Sequence, residues 1–417
     1  SVSFSSNDEL DAGAGNDSIN LGTGSDTIRA DVDGTNATTG TIDLDQISGL
    51  ENIVVNGSTG TDVVAITFDA VTSTTTETIT IDGTDLTGVS DTIAITNGVG
   101  AVDKRFNITG GAAGDTLAGA QGTAASGDTL VGGTGNDSLI GNGGTDILDG
   151  GAGNDSITGG AGNDSILAGA GSDAITANAG TDTIDGGDSD DTITMAGNFT
   201  FDDQIDGGAN GSGGDTLSVA GGVTDVNFLN TSNIENLTLS TAGDSRLGFR
   251  AQAAGITTVT SIDTQDTVGA ATYTTGLAVT MSNGSDSIAT GSGNDTLTFD
   301  GADEMDDTDT IAFGSGSDTL TNTAVAATAN TARLDLDNVT GLESLVLSGT
   351  TGDDVSTVQF DAVTGAVTTT LTVDASSHVT ANDQLIMNNN SALATVNFNV
   401  TGSSAGQNTL QGGIGAD

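Results

Sequence analysis

The sequence predicts an all-β chain, wound as a solenoid of stacked coils and interleaved with β-rich cassettes. Three observations carry this expectation. A nine-residue unit recurs with an Asp and an aliphatic residue held in phase. Glycine fills 64 of 417 positions, while Pro, Cys and Trp are absent. Segments such as TETITID (76–82) and DTIAIT (91–96) alternate with the two-residue period of strands, and no segment sustains helical spacing. Absence of Pro suits an unbroken ladder, because Pro has no N–H to donate.

The nine-residue unit is clearest from Gly132 onward: GGTGNDSLI, GNGGTDILD, GGAGNDSIT, GGAGNDSIL, AGAGSDAIT, ANAGTDTID, GGDSDDTIT. Its sixth position is Asp137, Asp146, Asp155, Asp164, Asp173, Asp182 and Asp191. Its eighth is Leu139, Leu148, Ile157, Ile166, Ile175, Ile184 and Ile193, and Asp128 with Leu130 keeps the phase one unit upstream. Glycines supply a turn whose backbone takes positive φ. The short Ser/Thr–aliphatic–Xaa piece is a strand with one inward side chain. Two units close a coil of about 18 residues, with a glycine turn on each side.

The same phase appears elsewhere. Asp8, Asp17 and Asp26 are spaced by nine, as are Asp286 with Asp295 and Asp309 with Asp318. Single units occur at Asp115 and Asp215, and the chain ends in GGIGAD with Asp417 in the ligand position.

Charge narrows the chemistry. Against 57 acidic residues stand 6 Lys and Arg, a formal net charge of −51. Such a chain is repelled by nucleic acid and by anionic membrane, and it holds no apolar run of the ~20 residues that a membrane helix needs. It is either a disordered solvating polymer or a protein neutralised by bound cations. The regular spacing favours the second. Carboxylates from neighbouring turns, meeting turn carbonyls, form the oxygen-only surroundings that Ca²⁺ prefers.

These units resemble the RTX (repeats-in-toxin) family, whose consensus G-G-x-G-x-D-x-U-x matches residues 132–137 and 150–164 almost letter for letter. The resemblance implies a right-handed parallel β-roll with several Ca²⁺ ions between stacked turns. It assigns the Asp residues named above as ligands, with the turn backbone of Gly133, Gly135, Gly151, Gly153, Gly160 and Gly162. Ala168, Ala177, Asn178 and Ser189 depart from the glycine pattern, so the last units are expected to bind more weakly or not at all.

Between the tracts lie three Thr/Val/Ile-rich cassettes, opened by ISGLENIVV, TSNIENLTL and VTGLESLVL. A shift of 292 residues (339 − 47) aligns Glu51 with Glu343, Phe68 with Phe360 and Phe106 with Phe398. The expected organisation is a repeat tract at 1–30, a cassette at 31–109, the main roll at 110–218, a second cassette at 219–281, a tract at 282–321, a third cassette at 322–402 and a new tract from 403 to 417. The cassettes are either irregular solenoid coils or small β-sandwiches. The LEN/LES glutamates Glu51, Glu235 and Glu343 are structural at a turn, or else ligands or lattice contacts.

Few other residues offer chemistry. His378 is the only histidine and aligns with Leu86 under the same shift, so it is expected at the surface rather than in a catalytic or zinc site. Lys104 with Arg105, and Arg246 near Arg250, are solvated charges or contacts for an acidic neighbour. Asn-Xaa-Ser/Thr triplets at Asn136, Asn154 and Asn163 follow from the turn sequence itself. Thr134 begins a GTG turn, but Ala stands at 152, 161, 170 and 179, so there is no threonine ladder for ice binding. There is no HExxH, no Cys nucleophile and no Ser signature pairing with His378, and an enzyme is not expected.

RTX tracts occur on toxins, proteases, lipases, epimerases, adhesins and S-layer proteins, so the roll alone does not name a function. The whole-chain pattern is similar to type I-secreted bacterial S-layer proteins. That likeness implies export without an N-terminal signal and a calcium-dependent lattice at the cell surface. Its expected partners are further copies of itself and a cell-surface polysaccharide, with no nucleic acid and no membrane insertion. An RTX adhesin or filament subunit is the alternative, and a calcium-binding region of a secreted enzyme the third. Starting at Ser1 and stopping inside a repeat, the chain is expected to be the ordered part of a longer polypeptide.

Overall fold

The structure, a computed structural model, describes residues 105–120, 127–197, 199–220, 222–241, 243–261, 266–281, 285–300, 308–323, 331–336 and 338–348. Shorter pieces are described at 9–11, 27–32, 38–43, 52–57, 62–68, 78–86, 92–97, 355–360, 370–376, 384–389, 397–402 and 407–411. The chain is an all-β parallel solenoid of the β-roll type. It divides into two compact units, Ser1–Leu217 with Asn230–Ile234, and Ser218–Leu229 with Glu235–Asp417.

In the first unit each coil gives one strand to an 11-stranded sheet and the next strand to a second sheet. Thr129–Thr134 is followed in the first sheet by Ile147–Ala152, Ser165–Ala170 and Thr183–Asp188. Ser138–Gly143, Ser156–Ala161, Ala174–Ala179 and Thr192–Met195 stack in the second. All pair in parallel, and Leu130 sits over Leu148, then Ile166, then Ile184. Leu139, Ile157, Ile175 and Ile193 form the matching column. Every one of these side chains is buried. Burying a Leu or Ile contributes about 1.5–3 kcal/mol, so two per coil give a thin core that only stacking completes.

The cassettes are solenoid coils, not sandwiches. Asn52–Gly57, Thr78–Asp82 and Arg105–Thr109 continue the first sheet, with Ile53 over Ile81 over Ile108. What differs is coil length: Val63 pairs with Thr92, 29 residues on.

The second unit repeats this register. Thr39–Val63–Thr92 in the first unit is matched by Thr331–Val355–Gln384 in the second, each shifted by 292. Likewise Thr27–Asn52–Thr80–Asn107 is matched by Thr319–Ser344–Thr372–Asn399. The duplication seen in sequence is therefore a duplication of strand pairing. The second unit also carries two short helical turns that alternation did not reveal, a 3₁₀ segment at Asp225–Asn230 and an α-turn at Phe249–Ala253. Asp225 joins them, accepting the N–H groups of Arg250 and Ala251 at 2.8 and 3.1 Å and pairing with the Arg250 guanidinium at 3.5 Å.

Candidate metal centre

Each sixth-position Asp opens a strand at the edge of the core and is buried, from Asp128 through Asp191. From Asp137 onward its Oδ1 accepts the backbone N–H of the Asp one coil earlier. Asp155 takes the N–H of Asp137 at 2.7 Å, Asp173 that of Asp155 at 2.7 Å, and Asp191 that of Asp173 at 2.8 Å. On the other side Asp146 takes Asp128 at 2.7 Å, Asp164 takes Asp146 at 2.9 Å, and Asp182 takes Asp164 at 2.9 Å. Two ladders of carboxylates thus run along the roll, one on each flank. Asn136, Asn154 and Asn163 add outer rungs, accepting the N–H groups of Asn154, Ser172 and Thr181. That is the structural use of the GNDS turn.

The second oxygen is different. Oδ2 of Asp137, Asp146, Asp155, Asp164, Asp173, Asp182 and Asp191 is buried and has no hydrogen-bond partner; the same holds for Asp295 and Asp318. A buried carboxylate oxygen left so carries a desolvation cost of about 1–3 kcal/mol or more. Burial accordingly pushes the Asp137 and Asp191 carboxyls up to about 7, and those of Asp146, Asp164 and Asp182 to about 6. The N–H bond to Oδ1 opposes this shift, and neighbouring carboxylates reinforce it.

Beside Oδ2 a carbonyl oxygen of the next coil comes close, at Asp115 and Asp128 as well as at the carboxylates with an unbonded Oδ2. A Cβ added to Gly150 would lie 2.5 Å from Asp155 Oδ2 and 2.5 Å from the Ala168 carbonyl oxygen. At Gly159 the corresponding distances are 2.7 Å to Asp164 Oδ2 and 3.0 Å to the Ala177 oxygen. Oxygens from successive coils therefore converge with no hydrogen-bond donor on the Oδ2 of Asp155 or Asp164, an arrangement that a bound cation or a proton relieves. Among the described residues no three His, Cys, Asp or Glu side chains gather into one group. Carboxylates enter one per unit, with turn carbonyls as companions. All donors are oxygen, as a hard cation such as Ca²⁺ requires. Calcium bound there would neutralise the ladder and tie each turn to the next.

Gly133, Gly135, Gly151, Gly153, Gly160 and Gly162 all take left-handed φ, between 101° and 138°, which shapes these turns. Asn142, Asn178 and Ser189 adopt left-handed φ at equivalent positions, 70°, 69° and 88°. Asn tolerates this better than most residues, Ser less well.

Fold and ladder together define a calcium-binding parallel β-roll. Four segments, residues 4–33, 124–157, 158–193 and 282–303, match the family profile of the RTX calcium-binding nonapeptide repeat. The chain thus carries four copies of the RTX calcium-binding nonapeptide repeat. A search of curated proteins gave no match to it.

The other expected ligands fall in several places. Asp215 accepts the N–H of Asp191 at 2.7 Å, Asp309 that of Asp286 at 2.8 Å, and Asp318 that of Asp295 at 2.9 Å. Asp295 takes Leu277 at 2.8 Å. Asp115 and Asp128 stand in the ladder, but both their oxygens are taken by backbone N–H groups: Ile93 and Gly111 on Asp115, Phe106 and Ala120 on Asp128. Asp8, Asp17, Asp26, Asp417, His378 and Lys104 lie outside the described residues. Arg105 is exposed, and its charge lowers the carboxyl of Asp128, which burial raises to about 6.

Two ladder members escape the nonapeptide phase. Asp203 accepts the N–H of Asp182 at 2.9 Å across 21 residues. Glu343 accepts that of Asp318 at 2.8 Å across 25. Both precede an aliphatic strand residue by two, Ile205 and Leu345, as every ladder Asp of the main roll does. A search for that local pattern, free of the period, finds them.

Proposed function

We propose that this chain is a structural subunit of a calcium-dependent extracellular surface layer, with Ca²⁺ at several positions of its carboxylate ladders. One observation carries most of the weight: the ladder of buried, half-bonded carboxylates in a chain of net charge −51. Copies so charged repel one another until cations discharge them. Weak extracellular calcium modules bind with Kd of about 10⁻⁴–10⁻³ M, a range in which calcium outside a cell acts as the assembly signal. The duplicated strand register supports a scaffold role, since it repeats a building unit and not a pocket. The inventory of a single His and no Cys supports a structural protein over an enzyme. RTX-repeat proteins are typically secreted, and among the described residues no helix is long and apolar enough to cross a membrane. The cell surface is the location proposed, with a surface polysaccharide as anchor.

Negative-stain microscopy across a calcium titration tests this. Two-dimensional sheets should appear with calcium and disperse with EGTA. Monomers at every calcium concentration reject the layer, and unbranched fibres replace it with a filament.

A further inference from the structure

We propose that three carboxylates of the first unit's ladders, Asp115, Asp128 and Asp203, are closed by the protein itself and take no calcium, so that metal-free positions precede the calcium-bearing stretch Asp137–Asp191 on both ladders and follow it on the ladder of Asp182. Burial does not separate the two groups: these three are 2%, 1% and 0% exposed, as deep as the rest. Hydrogen bonding does. Oδ2 of Asp115 accepts Gly111 N–H at 2.6 Å, and Oδ2 of Asp128 accepts Ala120 N–H at 2.7 Å. Oδ2 of Asp203 accepts the Thr200 N–H at 2.8 Å and its hydroxyl at 3.2 Å. Oδ2 has no such partner at any sixth-position Asp from Asp137 to Asp191.

Backbone conformation explains the contrast in this unit. Four residues before each Asp from Asp137 to Asp191 stands a left-handed residue: Gly133, Asn142, Gly151, Gly160, Gly169, Asn178 or Gly187. Gly111, four before Asp115, does not take left-handed φ, and neither does Ala120, which closes Asp128 from eight residues upstream. Inverting φ four residues before the Asp turns over the preceding peptide, as a type II turn differs from a type I. The N–H that closes Asp115 is then directed elsewhere, and the carboxylate oxygen is left to a cation. In the second unit Gly291 and Gly314 lack left-handed φ while Asp295 and Asp318 keep an unbonded Oδ2, so the correlation belongs to the stretch Asp137–Asp191.

A crystal of the full chain grown with calcium, or soaked in terbium, gives anomalous peaks that locate the ions directly. Peaks are expected beside carboxylates between Asp137 and Asp191 and none within ligating distance of Asp115, Asp128 or Asp203. A peak on any of those three overturns the proposal, and an empty Asp137–Asp191 stretch overturns the ladder as a calcium site altogether. In solution, Asp155→Asn should lower the calcium bound per folded chain, measured by native mass spectrometry, while Asp128→Asn leaves it unchanged. An equal loss in both also overturns it. If Asp128→Asn does not fold, the anomalous map of the unaltered protein decides.

Discussion

A carboxylate in the ladder performs two tasks with its two oxygens, and different substitutions separate them. Asp155 Oδ1 holds the N–H of Asp137, while its buried Oδ2 has no hydrogen-bond partner and is left to a cation. Asp155→Asn retains an oxygen for the N–H but removes the charge. Asp155→Ala removes both and strands a buried donor, a cost of about 1–3 kcal/mol. Both variants should raise the calcium midpoint. At saturating calcium, urea denaturation should show Asp155→Ala less stable than Asp155→Asn by about that amount. Equal stability of the two would remove the N–H bond from the account of what holds the coils together.

At the scale of the coil, the ladder gives the calcium-free roll an inverted response to acid. Carboxyls whose folded values are raised to about 6 and 7 bind protons more tightly folded than unfolded, where Asp is near 3.9. The stability they lend is therefore fully present below about pH 4 and lost as pH rises through 6 to 7. In EGTA, β circular dichroism should be stronger at pH 5 than at pH 8. A calcium-free protein equally folded at both would show that the carboxylates are not the obstacle. With calcium, the sign reverses, because the ion binds only the ionised form. Much of this element was legible in sequence. The nine-residue phase gave Asp137 through Asp191 their ligand positions, and alternation gave the cassettes their strands. Parallel pairing was not legible there, because alternation in TETITID reads alike in a sandwich and in a solenoid. Asp203 and Glu343 were hidden because longer coils break the phase, although each keeps an aliphatic residue two positions on. Asp115 carries the right residue in the right place and differs by a peptide orientation that one-letter code does not express, while Asp128 is closed from eight residues upstream, outside the nine-residue pattern.

Across the whole molecule, net charge decides association before shape does. Sodium chloride screens repulsion over distances beyond the Debye length, about 8 Å at physiological ionic strength, but does not occupy an oxygen cage. Raising sodium chloride alone should leave the protein dispersed in light scattering, while calcium at lower ionic strength assembles it. Assembly driven equally by both salts would reduce calcium to a screening ion. The duplicated register supplies two similar stretches of surface on one chain, at Thr27–Val32 with its followers and again at Thr319–Thr323 with its own. The ladders themselves have a direction. Each carboxylate reaches back to the N–H of the coil before it, never forward, so a coil is finished only by its successor. A chain that folds as it emerges, amino end first, always carries one incomplete coil at its growing tip. Interrupting it at any point exposes a backbone donor seeking a carboxylate. An isolated following segment that begins with such an Asp is shaped to meet that donor, which makes a severed roll able to rejoin its own remainder in one orientation only.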